Sequence, residues 1–397
     1  MVLAALGGVL LAHPQLAAGE PPSRPLGVVS QTDPREDEFE AMRLGGVRSY
    51  RWLISWPALQ PRADAEPDWA ATDRVVASLA ENRIAAVPFV SGSPCFAVDC
   101  AGERPSRAHR QPPVESSRGK LAWAGFVTRL VERYGPEGSF WSANPSLPRR
   151  PITQWQIWNE QNAPRNYAPS PSVASYAEVL AIASGAIRSR DPEARIVLGG
   201  MFGGPTGRGA IKAPTYLADL YETPGAADHF DAVAVHPYAG NVAGVSRQVR
   251  AIRDVIESNG DTNTSIWVTE LGWGTSESGQ RRLLETVPGQ ARLLSESFGE
   301  LLARSDEWNI AGILWYAWRD TQPGEAVCDW CATTGLFDAD GAARPAWTAY
   351  AELAGGEAVE LPGHGDGGSP VPVLLLAGAV ALVAAGSWLL FRRTATR

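Results

Sequence analysis

Eight short apolar stretches, separated by helix-length segments, constrain this chain more than any other feature. They fall at residues 26–30, 47–54, 84–90, 152–159, 195–199, 230–235, 265–269 and 310–316. Between them, the periodicity predicts helices at 68–82, 118–134, 172–190, 215–221, 245–258 and 288–304. Several strands are apolar throughout, as in Ile196-Val197-Leu198 and Val233-Ala234-Val235. Such runs predict a parallel sheet covered on both faces. Eight units of this kind close into a (β/α)8 TIM barrel, and about 330 residues suit one with long loops. An open doubly wound sheet is the alternative. It usually carries a glycine-rich phosphate loop after its first strand, and none follows Ser30.

The two ends carry different signals. Residues 371–391 hold no formal charge and are long enough to span a bilayer as a helix. Arg392, Arg393 and Arg397 follow, which places the tail at 392–397 in the cytoplasm. Residues 2–11 are apolar, and Leu16-Ala17-Ala18-Gly19 suits a cleavage region, so 1–19 reads as a signal-like leader without its basic start. The expected organisation is a leader at 1–19, a Pro-rich linker at 20–25, a barrel at 26–354 and a second linker at 355–370. The membrane helix at 371–391 and the cytoplasmic tail complete it. The barrel then lies outside the cell on a single-pass anchor.

Four cysteines fit that compartment. Cys95 lies near Cys100 and Cys328 near Cys331, so two local disulfides are expected; a four-cysteine zinc site is the rival, and spacing does not decide between them. The formal net charge of −8 and the lack of a basic run argue against a nucleic-acid partner. Fifteen tryptophans allow both core filling and stacking against sugar faces.

In a barrel of this type the active site forms at the C-terminal ends of the strands. Polar and aromatic residues gather there: Arg51 and Trp56 at the second strand, Asn159 and Glu160 at the fourth, His236 and Tyr238 at the sixth. Glu270 and Trp273 follow the seventh, and Trp315 and Trp318 the eighth. Glu160 and Glu270 therefore face each other across the mouth. Two carboxylates in unlike surroundings are what glycoside hydrolysis needs. Because neighbours on a strand point to opposite faces, Asn159 and Glu160 reach one substrate only if the strand bulges or ends at Asn159.

Trp158-Asn159-Glu160 and Thr269-Glu270 resemble the clan A glycoside hydrolases, with families 5 and 39 nearest. Arg51-Trp52-Leu53-Ile54-Ser55-Trp56, His236-Pro237-Tyr238, Trp315 and Gly335-Leu336-Phe337-Asp338 are similar to other landmarks of that clan, over residues 26–353. The resemblance implies a retaining enzyme with Glu160 as acid/base and Glu270 as nucleophile, the carboxyl groups standing about 5–5.5 Å apart. It also implies that Asn159 holds a sugar 2-hydroxyl, Arg51 and Tyr238 keep Glu270 ionised, and His236 and Trp315 line the sugar subsite. Many relatives have proline after the acid/base, whereas Gln161 stands here. The implied partner is an oligo- or polysaccharide, with no cofactor.

Two other readings stay open. A catalytically inactive, membrane-anchored carbohydrate-binding protein could use the same barrel, although it has no need for both carboxylates. An adhesion protein working through its loops predicts no cleft between them. Zinc-dependent hydrolysis is disfavoured, since His13, His109, His229, His236 and His364 show no ligand spacing.

Overall fold

The computed structural model describes residues 24–101, 104–204, 207–276, 283–322, 328 and 330–361. The expected leader, the span at 371–391 and its tail lie outside the described residues. No helix among the described residues is long and apolar enough to cross a membrane.

Eight parallel strands alternate with eight helices. Strand β1 (Leu26–Val29) leads to helix α1 (Glu36–Leu44); β2 (Ser49–Arg51, resuming at Leu53–Ser55) leads to α2 (Ala70–Glu81). β3 (Ala85–Ala86, resuming at Phe89–Ser91) precedes α3 (Ser117–Tyr134), and β4 (Gln154–Asn159) precedes α4 (Val173–Arg188). Then come β5 (Arg195–Phe202), α5 (Ala213–Glu222), β6 (Ala232–His236) and α6 (Val242–Ser258). β7 (Ser265–Leu271), α7 (Val287–Ala303), β8 (Ile310–Tyr316) and α8 (Pro345–Ala354) complete the series.

The ring closes. β8 pairs with β1, β1 with β2, and β3 through β8 pair in succession, all parallel. Ser49 pairs with Ala85 in the first halves of β2 and β3, and Leu53 with Phe89 in the second. Between the halves, Val87 N–H donates to the Tyr50 carbonyl (2.9 Å) and Phe89 N–H to that of Trp52 (3.0 Å), so the ladder continues.

Two apolar layers result. Ile196, Leu198, Val233, Val235, Ile266 and Ile313 face outward against the helices, with Phe126, Leu180, Val249 and Leu294. Val197, Ala232, Ala234, Trp267 and Leu314 face inward and fill the barrel. Both faces of each strand are thus dry, which is why the strands read as unbroken apolar runs. Gly312 makes room for the largest inner residue: a Cβ there would stand 2.3 Å from the Trp267 ring. Four of the eight helices have side-chain caps at their starts. Ser116, Ser172, Asn241 and Thr286 accept from backbone amides three residues on, supplying acceptors the first turn lacks.

Helices α1 and α8 and the short parallel pair Gly274–Thr275 with Leu284–Glu285 are absent from the expected pattern. α1 is strongly acidic and buries little beyond Phe39, Ala41, Met42 and the paired Glu38, so its period is faint. Cys95 bonds to Cys100 and Cys328 to Cys331, which removes the zinc alternative.

Candidate active site

At the end of β4, backbone conformation decides where three successive side chains go. Alternation sends Gln156 inward and would send Trp158 inward as well. Trp158 instead adopts a left-handed φ of +72°, and Glu160 another at +48°. Each costs about 1–3 kcal/mol for a non-glycine residue. The outcome is that Trp158 turns outward into the helix-facing layer, and Asn159 points inward to Arg51. Glu160, just past the strand, turns into the mouth. β4 does end at Asn159, and both neighbours reach one cavity.

A bulge performs the same service on β7. Ile313 pairs with Val268 and Trp315 with Leu271, so three residues of β7 oppose two of β8. Thr269 and Glu270 consequently both face the cavity side. Glu270 meets Arg51, whose side chain is wholly buried: Nη1 donates to Glu270 Oε1 (2.7 Å), Nε to Gln156 Oε1 (2.6 Å) and Nη2 to Asn159 Oδ1 (2.6 Å). The Tyr238 hydroxyl donates to the other oxygen, Glu270 Oε2 (3.0 Å). A guanidinium and a phenol therefore both donate to one carboxylate, each to a different oxygen.

Glu160 has neutral company. The Asn166 amide donates to Oε2, and His236 Nδ1 stands 3.1 Å from Oε1. Burial pushes the Glu160 carboxyl up to about 7, against the charges of Arg51 and Arg165 and the Asn166 hydrogen bond, which favour ionisation. Two carboxylates thus share one cavity in unlike surroundings: Glu270 touches the guanidinium, and Glu160 touches an amide and an imidazole.

His236 sits between them. Its Nδ1 also lies 3.4 Å from Glu270 Oε2, and its Nε2 is 3.0 Å from the Thr269 hydroxyl. Oxygens of both carboxyl groups surround Nδ1, so the ring proton is best placed there, which leaves Nε2 to accept from the Thr269 hydroxyl. Burial lowers the His236 pKa to about 3, outweighing Glu270, so the ring stays neutral. Gly200 on β5 is what lets the ring in: a Cβ there would stand 2.0 Å from Nε2.

Glu160, His236 and Glu270 each offer a donor atom within 4.8 Å of the others. That is a possible cation set, but Arg51 already brings positive charge to Glu270 and the Nδ1 proton occupies the gap. For the carboxylates, the same figure places one oxygen of each within 4.8 Å of the other. Oxygens this close fit the separation of about 5–5.5 Å between carboxyl groups in retaining glycosidases better than the roughly 6.5–9.5 Å of inverting ones.

The cavity has a volume of ≈ 750 Å3 and opens at the C-terminal ends of the strands. Arg51, Asn159, Glu160, Tyr238 and Glu270 line it; His236, expected to line the sugar subsite, lies behind the wall instead and touches both carboxylates. Three tryptophans expected in the wall are also absent from it. Trp56 is buried against Phe126 (5.3 Å between ring centroids) and donates to Gln60 Oε1. Trp273 and Trp315 pack on each other behind the sheet (6.1 Å), donating to the carbonyls of Ala239 and Thr334. Each packs among the helix-facing residues; the register of β8 decides this for Trp315, while Trp56 opens a short helix and Trp273 lies past the end of β7. Tyr316, one residue on from Trp315, lines the cavity instead, together with Phe202 and Trp330. Trp330 packs on Tyr238 at 4.7 Å and neighbours the Cys328–Cys331 disulfide.

Four residues that position the site were not expected: Gln156, Asn166, Thr269 and Tyr316. Gln154 and Gln156 alternate with Trp155 and Ile157, a period-2 signal that points the glutamines into the barrel. Asn166 lies six residues beyond Glu160 in a loop, where no pattern marks it.

No protein-family model matches the chain, and no curated protein matches it. Solved structures do. A family 39 glycoside hydrolase from the gut symbiont Bacteroides cellulosilyticus WH2 aligns with a TM-score of 0.61 and 18% identity, covering 84% of this chain and 64% of that one. The GH39 enzyme from Xanthomonas axonopodis pv. citri aligns at 0.59 and 16%, covering 84% and 67%. A monomeric β-xylosidase from Caulobacter crescentus CB15 aligns at 0.54 and 19%, covering 83% and 69%. This chain therefore spans slightly under two thirds of the first of these proteins. It has the barrel fold of family 39 glycoside hydrolases, in agreement with the clan A resemblance of its motifs.

Proposed function

We propose that the protein is a retaining glycoside hydrolase acting on a β-linked glycan. One observation carries this: two carboxylates, from strands on opposite sides of one barrel mouth, approach within 4.8 Å in unlike electrostatic settings. Glu270 attacks the anomeric carbon as Glu160 gives its proton to the departing oxygen, breaking the glycosidic bond and leaving a glycosyl ester on Glu270. The ester removes the charge of Glu270, so Arg51 is left to draw the pKa of Glu160 down. Glu160 then takes a proton from water, which attacks the same carbon and releases Glu270. Asn159, held by Arg51, presents its amide to the sugar. The neutral His236 holds both carboxylates apart without adding charge.

The solved neighbours named as xylosidases support a β-linked substrate, and the cavity's aromatic wall of Phe202, Tyr316 and Trp330 suits sugar faces. We further infer an enzyme acting outside the cell, with 26–354 as its catalytic domain and 371–391 as its anchor. Two disulfides and the uncharged C-terminal stretch support that placement.

A panel of aryl β-glycosides, with the first-formed anomer identified by NMR, tests the proposal. Release of the β-anomer from a β-glycoside supports it; the α-anomer, or no turnover of any glycoside, overturns it.

A further inference from the structure

Two arginines in the cavity form no ion pair among the described residues, although the charge of one of them, Arg165, is felt by Glu160. Arg165 follows Glu160 in the loop after β4, and Arg110 comes from the loop after β3; both line the cavity. They are adjacent, since Arg110 Nη1 donates to the Arg165 carbonyl (2.5 Å) and its Nε to that of Ser106 (2.9 Å). Ala168 N–H donates in turn to the Arg110 carbonyl (2.9 Å), which ties the two loops together. Neither guanidinium forms an ion pair among the described residues. The cavity's own carboxylates are engaged elsewhere, Glu270 with Arg51 and Tyr238, Glu160 with Asn166 and His236.

Arginine does not deprotonate in proteins, so two such charges on the wall of one cavity favour an anion there. The chain as a whole is acidic, with 43 Asp and Glu against 35 Lys and Arg. A cationic wall here is thus a local feature, opposed to the net charge. Its place also matters. Glu160 protonates the departing oxygen, so the loop that carries Glu160 and Arg165 borders the sugar that leaves.

We propose that this wall binds a negatively charged substituent, a carboxylate or a sulfate ester, on the leaving-group side of the scissile bond. The proposal rests on the glycosidase reading for its orientation. Planar guanidinium groups suit such oxyanions through paired hydrogen bonds. Arg110 is the fixed member, braced by two carbonyls; Arg165 is exposed and adapts to the ligand.

The test uses one glycone on two leaving groups, 4-nitrophenol and 3-carboxy-4-nitrophenol. The carboxylated substrate should have a kcat/KM about tenfold higher or more at low salt, and the advantage should shrink as salt rises. Arg165→Glu should abolish or invert that ratio. A ratio of one in the native protein, or one unmoved by Arg165→Glu, overturns the proposal. A binding arm separates it from the glycosidase reading. Cellotriose, its C6-oxidised form and its 6-sulfate are titrated into Glu160→Gln, followed by tryptophan fluorescence. Tighter binding of an acidic form supports the anion site even if no glycoside turns over, and which form binds distinguishes carboxylate from sulfate. Equal or absent binding of all three counts against it.

Discussion

Arg51 donates to Glu270 across 2.7 Å from a side chain with no exposed surface, and the same guanidinium reaches Gln156 and Asn159. One residue of β2 thereby binds groups from β4 and β7 into a single unit. The site is assembled around a cation that never meets solvent.

Removing that cation should be severe. Arg51→Ala leaves a buried carboxylate and two orphaned amide oxygens, which costs about 3–5 kcal/mol in stability. Arg51→Lys should recover part of the stability but little activity, because the single nitrogen of an ammonium cannot reach three acceptors that are each held by a different guanidinium nitrogen. Thermal melts and kcat/KM on an aryl glycoside check both. A Lys variant with native turnover would contradict the role given to the planar fork.

Glu160 predicts a pH dependence of definite sign. Its carboxyl is raised to about 7 by burial, so turnover should fall as pH rises through 7 and the acid loses its proton. Stability follows the same group. Folding strengthens its hold on the proton, so its contribution is favourable below the unfolded value of 4.5 and is lost as pH rises through about 7. Glu160→Gln, which cannot ionise, should therefore be more stable than the native protein at pH 8, by about 3 kcal/mol at 1.36 kcal/mol per pKa unit. The gain should vanish towards pH 4.5. Activity should drop by about 10²–10⁴-fold at all pH values.

His236 acts in the opposite direction. Its pKa is lowered to about 3 by burial, so its neutral form stabilises the fold above the unfolded value of 6.5, and that stability is lost as pH falls towards 3. Gly200→Ala should disturb the ring directly, since the new methyl would stand 2.0 Å from Nε2. We expect a destabilisation of about 1–3 kcal/mol with a marked loss of kcat. NMR of the imidazole Nδ1 proton would follow the displacement.

Glu270→Ala should abolish turnover while the melting curve stays cooperative. Azide should restore cleavage of an activated aryl glycoside, because a small anion fits where the carboxylate stood. The product should be a glycosyl azide of inverted configuration. No rescue, or a retained configuration, would remove Glu270 from the nucleophile's place.

The tryptophans separate core from wall. Trp315→Ala should cost about 3–5 kcal/mol, since the ring is packed on Trp273 and Phe298. Trp330→Ala, at the cavity, should raise KM with a smaller effect on stability. A reversed pattern would place Trp315, and not Trp330, at the cavity.

Much of the site was legible in the residues. Polar side chains ending otherwise apolar strands single out Arg51, Asn159, Glu160, His236, Tyr238 and Glu270, because a barrel keeps its reactive groups at those ends. Trp56, Trp273 and Trp315 were not legible. Trp56 opens a short helix and Trp273 lies past its strand, where alternation says nothing; Trp315 stands one residue from the end of a strand, and there one residue of shift sends a side chain to the other side. Trp315 and Tyr316 differ by that single step.

The sequence by itself determined the alternation of strand and helix, the count of eight and the two carboxylates at opposed strand ends, since each is written in local periodicity and residue type. Tertiary structure alone decided the turn at Trp158 and the bulge before Leu271, and with them whether Glu160 and Glu270 face one another. It also chose Asn166 and Thr269 as their supports. Left-handed backbone and bulged pairing are held by neighbouring strands, and no local run of residues records them.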